Sequence, residues 1–70
     1  MGQLKSQFGK RVQALRYKAK MTQEDLANEV GVTIESISNI ERGIYGASFD
    51  TVEKIAAAFN VPVKNLFIFD

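Results

Sequence analysis

The stretch Thr22-Gln-Glu-Asp-Leu-Ala-Asn-Glu-Val-Gly-Val-Thr-Ile-Glu-Ser-Ile-Ser-Asn-Ile-Glu-Arg-Gly43 decides the fold of this chain. It predicts two short helices joined by a tight turn. Thr22 is suited to cap the first helix, because Asp25 follows it at the three-residue spacing of a capping box. Gly31 interrupts the pattern where a left-handed residue would end that helix. Thr33 is suited to cap the second helix, which is expected to stop at Gly43.

The apolar residues of this stretch recur at helical spacing, so each helix has one face for a core. The core-facing positions are expected to be Leu26, Ala27, Val30, Ile37 and Ile40. Two amphipathic helices joined by a tight turn form a helix-turn-helix, and the second helix of that motif enters the major groove of DNA. The segment 22–43 is therefore predicted to be a helix-turn-helix.

Three further helices are predicted around this unit. The first should run from about Ser6 to Ala19, the fourth should be capped by Ser48 and end near Phe59, and a short fifth should open at Pro62 and run through about Phe67. Their core-facing residues are expected to be Phe8, Val12, Leu15, Ala19, Val52, Ile55, Ala56 and Phe59. The expected fold is all-α, with no strands and a single domain over residues 1–70.

Composition limits the classes of function. The chain is 46% hydrophobic, which is typical of a globular protein. It contains no cysteine and no histidine, so disulfides, thiolate chemistry and the commonest metal ligand and general base are missing. No catalytic constellation or glycine-rich phosphate loop is visible. The sequence predicts a cytoplasmic protein that is not an enzyme and has no metal, cofactor, signal peptide or membrane span.

Charge is distributed unevenly along the chain. The formal net charge is only +1, yet residues 1–20 hold six basic residues and no acidic one. Residues 21–70 hold three basic and eight acidic residues. A basic first helix can dock on the phosphates of a nucleic acid, and it is equally compatible with an ordinary solvated surface. The start of the chain also fits an N-myristoylation pattern, but it fits the beginning of an amphipathic helix better.

The chain resembles the phage-repressor and Cro-like, or Xre-type, helix-turn-helix family over about residues 8–67. The segments that carry the resemblance are Leu15-Arg16, Met21-Thr22-Gln23-Glu24-Asp25-Leu26-Ala27, Gly31-Val32, Ile37-Ser38-Asn39-Ile40-Glu41-Arg42-Gly43 and Val52-Glu53-Lys54-Ile55-Ala56. The resemblance implies a compact five-helix, lambda-repressor-like fold. It also implies a transcriptional regulator, usually of the repressor type, that binds a palindromic operator in duplex DNA as a homodimer.

The third helix holds the residues expected to contact bases. Asn39 offers the donor and acceptor pair that suits adenine, whereas Glu35 can only accept, which suits cytosine. Ile34 is suited to a thymine methyl group, and Ser36 can bond a base or a phosphate. The other interpretation of these residues is an exposed polar helix face without a ligand.

Phosphate contacts are expected from a second set of residues. Gln23 begins the second helix, where an unpaired N–H and the helix dipole favour an anion. By resemblance, its side chain also clamps phosphate and braces the third helix. Further phosphate contacts are expected from Lys10, Arg11, Arg42 and Tyr45.

Two more structural features are expected. Arg16 and Glu41 lie at the borders of two packed stripes, which suggests an ion pair between the first and third helices, and the resemblance implies the same pair. Apolar residues outside the predicted core suggest a two-fold dimer interface, namely Ile44, Phe67, Ile68 and Phe69. The alternative is that the C-terminal residues fold back onto the same monomer.

Two classes of function stay open from the sequence. The first is a DNA-binding regulator, which Gln23, Asn39, Arg42 and the basic first helix favour. The second is a protein-interaction or antitoxin module that keeps the fold with weak or no DNA binding. The near-neutral charge, the uncharged loop 44–47 and Glu35 favour this second class.

Overall fold

Helices make up the regular secondary structure of residues 3–69. The computed structural model describes residues 3–69, so Met1, Gly2 and with them the myristoylation pattern lie outside it, as does Asp70. Its elements are the α-helices α1 (Gln3–Lys18), α2 (Gln23–Val30), α3 (Ile34–Glu41) and α4 (Phe49–Phe59), followed by a 3₁₀ helix (Val63–Phe67). The described residues contain no strand. The all-α prediction is confirmed, but the fifth helix is a 3₁₀ helix that Pro62 precedes.

Side-chain caps fix where α2, α3 and α4 begin. The Thr22 hydroxyl accepts from the Asp25 N–H at 3.0 Å, and the Asp25 carboxylate accepts from the Thr22 N–H at 2.9 Å. Thr33 and Ser48 cap α3 and α4 by accepting from the N–H three residues on. These bonds pair donors that a helix N-terminus otherwise leaves unsatisfied, so the sequence defines the starts of these helices locally.

Left-handed residues close α2 and α4 and turn the chain after α1 and α3. Gly31 has a φ of 84° and closes α2, while Gly43 has a φ of 76° just after α3. Lys20 also adopts a positive φ, of 59°, in the corner between α1 and α2. Because the chain turns there, α1 ends at Lys18 and Ala19 lies exposed. The expectation that Ala19 faces the core is therefore wrong.

One apolar core joins all the elements. Its buried residues are Phe8, Val12, Leu26, Ala27, Val30, Ile37, Ile40, Val52, Ile55, Ala56 and Leu66. Leu15 and Phe59 are half-buried against this core. The core residues expected from α2, α3 and α4 are therefore confirmed, apart from the partial exposure of Phe59.

The C-terminal segment packs against α1. The Phe67 ring lies 5.1 Å from the Phe8 ring, and Phe69 meets Phe67 edge-on at 6.3 Å between centroids. Phe69 is half-buried against the core, whereas Ile68 is 51% exposed. The alternative that the tail folds back onto its own monomer thus holds for Phe69, because its ring packs edge-on against Phe67, which in turn packs on Phe8 of α1.

Candidate nucleic-acid interface

A buried ion pair fixes α3 relative to α1. Arg16 Nε donates to Glu41 Oε2 at 2.7 Å, and Arg16 Nη2 donates to Glu41 Oε1 at 3.0 Å. The third guanidinium nitrogen, Nη1, donates to the Met21 carbonyl at 2.8 Å. This two-pronged geometry matches the planar guanidinium to the carboxylate. The hydrogen bond with Glu41 raises the pKa of Arg16 above its ordinary value, although burial opposes that rise.

Gln23 extends this network from α2. Its Nε2 donates to Glu41 Oε1 at 3.1 Å, so the same carboxylate accepts hydrogen bonds from side chains of α1 and α2. The backbone N–H of Gln23 lies in the first turn of α2, where helices leave donors unpaired. The side chain therefore braces α3 while the helix start beside it stays open to an anion.

The outer face of α3 carries the residues that sequence analysis assigned to bases. Ile37, Ile40 and Glu41 take the inner face. Ile34 and Glu35 are exposed, and Asn39 and Ser36 are half-buried. Ser36 Oγ also accepts from the Thr33 hydroxyl at 3.0 Å. The structure brings these four residues together on one short helix, which is the arrangement that reading a base sequence requires.

The expected phosphate ligands do not all lie near α3. Arg42 and Tyr45 are exposed at the end of α3 and in the following loop. Arg11, however, donates from Nε to the Asn65 carbonyl at 2.8 Å. Lys10 and Arg11 also line a cavity together with Ile68 and Phe69.

Lys10 and Arg11 therefore lie on the side of α1 that carries the C-terminal segment. Gly9 and Arg16, on another side of α1, are the residues that meet α3. Lys10 and Arg11 thus do not lie with Arg42 and Tyr45 at the end of α3, and their phosphate contacts stay a prediction. Sequence pattern gave their helix but not which neighbour each side of that helix would meet.

The apolar residues assigned to an interface line three separate surfaces. Ile44 lines a cleft beside α3, and Ile68 and Phe69 line the cavity with Lys10. Phe67 lines a mostly apolar groove of about 160 Å³, whose other lining residues are Leu4, Lys5, Phe8, Gly46, Ala47, Phe49 and Val52. Phe49 is 88% exposed at this groove, and sequence analysis missed it because it directly follows the cap of α4.

Residues 3–69 hold no grouping of three or more acidic side chains that could enclose a metal ion. Nor does any helix within this range have the length and apolarity needed to cross a membrane. Every buried side-chain nitrogen and oxygen in the described part of the chain has a hydrogen-bond partner. The polar features left to explain are therefore surface features, and the polar residues of α3 are among them.

Comparison with known proteins gives consistent matches. The helix-turn-helix family model HTH_3 matches residues 12–66. An uncharacterized HTH-type transcriptional regulator of Archaeoglobus fulgidus is 45% identical over 60 residues, which cover 86% of this chain and 84% of that protein. Control protein C.BamHI of Bacillus amyloliquefaciens is 43% identical over 63 residues, covering 89% of this chain and 78% of the relative.

A solved structure matches as well. The restriction-modification controller protein C.AhdI from Aeromonas hydrophila superimposes with a TM-score of 0.88 at 30% sequence identity. The match covers 90% of this chain and 96% of C.AhdI. The likeness extends through the helix-turn-helix and the helices that hold it.

Proposed function

This chain belongs to the helix-turn-helix family, and from that premise we propose that it is a sequence-specific regulator of transcription that binds duplex DNA through α3. The relatives named as transcriptional regulators and control proteins support this function. Among the regulatory roles, we favour a repressor or a restriction-modification controller, because relatives carry both descriptions. Its place of action in this proposal is the cytoplasm, on the nucleoid.

The observation that carries the proposal is the network around Glu41. Arg16 from α1 and Gln23 from α2 both bond its carboxylate, which buries the inner side of α3 and fixes its orientation. The outer side is left with Glu35, Asn39 and Arg42. A helix held rigidly on one side and polar on the other is suited to enter a major groove, because base contacts need fixed geometry.

A homodimer is part of the proposal. One helix of eight residues reaches only a few base pairs, and specific binding at physiological salt needs more contacts than that. Two copies reading half-sites one helical turn apart would supply them. Exposed apolar side chains support a contact between copies, and they offer three surfaces for it: Ile44 beside α3, Phe67 with Phe49 at the apolar groove, and Ile68 at the cavity with Lys10. Phe69 contributes less to the third surface because its ring is half-buried.

A second candidate function is a protein-interaction module that retains the fold. Glu35 favours it, because a carboxylate on the exposed face of α3 repels phosphate. The loop 44–47 also has no charged residue.

Selection of bound duplexes from a random pool tests both candidates. A regulator should enrich a sequence with two inverted half-sites and should retain random duplex weakly at low salt. No retention of any duplex at low salt would contradict DNA binding and favour the interaction module. Enrichment of a single half-site would contradict the homodimer alone.

A further inference from the structure

Close backbone approaches bring the start of α1 onto the end of α3. A Cβ atom at Gly9 would collide with the backbone carbonyl oxygens of Ile40 and Glu41. A Cβ at Gly43 would lie 3.0 Å from the Cα of Ser6. The first turns of α1 therefore pass directly over the end of α3 and the loop that follows it.

This approach places Lys5 across an uncharged loop. A Cβ built on Gly46 would lie 3.6 Å from Lys5 Cγ and 3.7 Å from Lys5 Cδ, so the lysine stem runs over that glycine. The loop residues 44–47 carry no charge of their own. Packing of the stem leaves the ammonium group at the surface, as long basic side chains usually do.

Lys5 lines a cleft beside α3 that we call the α3–α4 cleft. Its lining residues are Lys5, Val32, Ser36, Ile40, Ile44, Tyr45, Gly46, Ala47, Ser48 and Thr51. Lys5 is the one charged residue among them. The salt bridge found among residues 3–69 joins Arg16 to Glu41, so no carboxylate of that range forms a salt bridge with Lys5. The acidic residue in the first turn of α4, Asp50, is not part of the lining.

The cleft lies on the opposite flank of α3 from Gln23. Gln23 bonds Glu41, whereas Ser36 and Ile40 line the cleft. At 3.6 residues per turn, Ser36 and Ile40 lie about 100 to 140° around the helix from Glu41. An α-helix of about 10–12 Å diameter fills a major groove about 12 Å wide, so each flank faces one phosphate strand. One strand then meets the start of α2, and the other meets the α3–α4 cleft.

We propose that Lys5 binds a backbone phosphate of the duplex strand that passes the α3–α4 cleft. This inference rests on the proposed DNA binding and adds a cation from α1 that compensates for the uncharged loop. An ammonium group suits this position, since it acts as a point charge and needs no fixed angle to a phosphate. The contact is independent of base sequence, so it contributes to binding of every duplex.

The salt dependence of binding to a random-sequence duplex tests the proposal. Each phosphate contact contributes about 0.9 to the slope of log affinity against log salt. Lys5→Gln should therefore reduce the slope by about 0.9. The ratio of wild-type affinity to variant affinity should then fall about 3.5-fold between about 50 and 200 mM salt. Lys64→Gln, a matched change at an exposed lysine of the 3₁₀ helix, should leave the slope unchanged.

Moving the positive charge from position 5 to position 46 distinguishes a phosphate contact of Lys5 from a structural role of its stem. Gly46 does not have a positive φ, and a Cβ there meets only the flexible Lys5 stem at ordinary contact distance. The double variant Lys5→Gln with Gly46→Lys should therefore place a cation at the same cleft and restore the slope. Circular dichroism melts of all variants establish that each is folded at the binding temperature.

The outcomes distinguish this inference from the proposed function. If the wild type retains no duplex at low salt, both fail. If the wild type binds while Lys5→Gln keeps the full slope, the Lys5 contact alone is overturned. If the slope falls in Lys5→Gln and the added Gly46→Lys does not restore it, then Lys5 has a packing role. That result also overturns the contact.

Discussion

At the scale of single residues, the Glu41 carboxylate determines how the interface is held. Its two oxygens accept three side-chain hydrogen bonds, two from Arg16 and one from Gln23. Both charged side chains of the pair are almost fully buried, so solvent cannot replace a lost partner. Removal of one partner leaves the other charge unpaired, which costs far more than the net value of the pair.

We expect strong coupling between Arg16 and Glu41 in stability measurements. Arg16→Met and Glu41→Gln should each lower the free energy of unfolding by roughly 3–5 kcal/mol, as breaking a buried pair does. The double variant should be more stable than the sum of the two losses predicts, by about 0.5–3 kcal/mol. Urea unfolding with a stabilising osmolyte keeps weak variants measurable. Strictly additive losses would show that the two charges act separately.

Asn39 is the residue whose removal should change base preference. Asn39→Ala should weaken binding to the selected site by about 1–3 kcal/mol and relax the preference at one base position. Asn28→Ala makes the same change at an exposed position of α2 and should leave binding unchanged. Affinities for the selected duplex and its single-base variants provide the measurement. Equal affinity of wild type and Asn39→Ala would contradict the base contact.

At the scale of elements, the approach of α1 to α3 depends on Gly9. Glycine inside a helix normally costs about 0.5–1 kcal/mol relative to alanine, so α1 gives up intrinsic stability at this position. The compensation is close packing against the carbonyl groups of Ile40 and Glu41. Those carbonyls belong to the backbone and cannot move aside as a side chain can.

We expect Gly9→Ala to destabilise the fold although it improves helix propensity. Overpacking typically costs about 1–3 kcal/mol, which exceeds the gain in propensity. For a chain of this size, each kcal/mol lowers the melting temperature by roughly 4–8 °C. Gly46→Ala is the control, since its Cβ meets only the Lys5 stem and should change the melting temperature little. An unchanged or raised melting temperature in Gly9→Ala would show that α1 can shift away from α3.

Local sequence patterns predict the helices of this fold better than they predict which helices pack together. Thr22 and Gly31 act on residues within one turn of the chain, so the boundaries of α2 follow from local chemistry. The side of α1 that Arg11 occupies depends on where the 3₁₀ helix packs, 54 residues later. Periodicity states which residues share a face, but it does not state which element covers that face. For the same reason Lys5 escaped notice, because its position follows from a glycine contact between distant elements.

At the scale of the whole molecule, the exposed apolar surface favours a contact with another protein surface, because burial would remove it from water. Leu4, Phe49 and Phe67 border the apolar groove, and Ile68 lies nearby in sequence but lines a different cavity. A protein with a net charge of only +1 has little electrostatic protection against self-association. A defined contact between two copies would remove some of this surface from water.

Two exposed substitutions locate the contact between copies. Phe49→Ser and Ile68→Ser leave the core intact, because both side chains are about half exposed or more. Sedimentation over a wide concentration range should show weaker association for the variant that lies in the interface. A wild type that stays monomeric even on a duplex with two half-sites would contradict the homodimer.

The bond between Arg11 and Asn65 has a consequence for the order in which the molecule assembles. It joins residues 54 positions apart, and the Arg16–Glu41 pair joins residues 25 apart, whereas the caps of α2 and α3 act within three. Local structure forms first, because contacts between distant residues require the closing of long loops, which costs entropy. We therefore expect the helix-turn-helix to be partly structured in the folding transition state and the C-terminal segment to join late. Loss of the Arg11 bond would then mainly speed unfolding and shorten the lifetime of the native state, while the folding rate stays nearly unchanged.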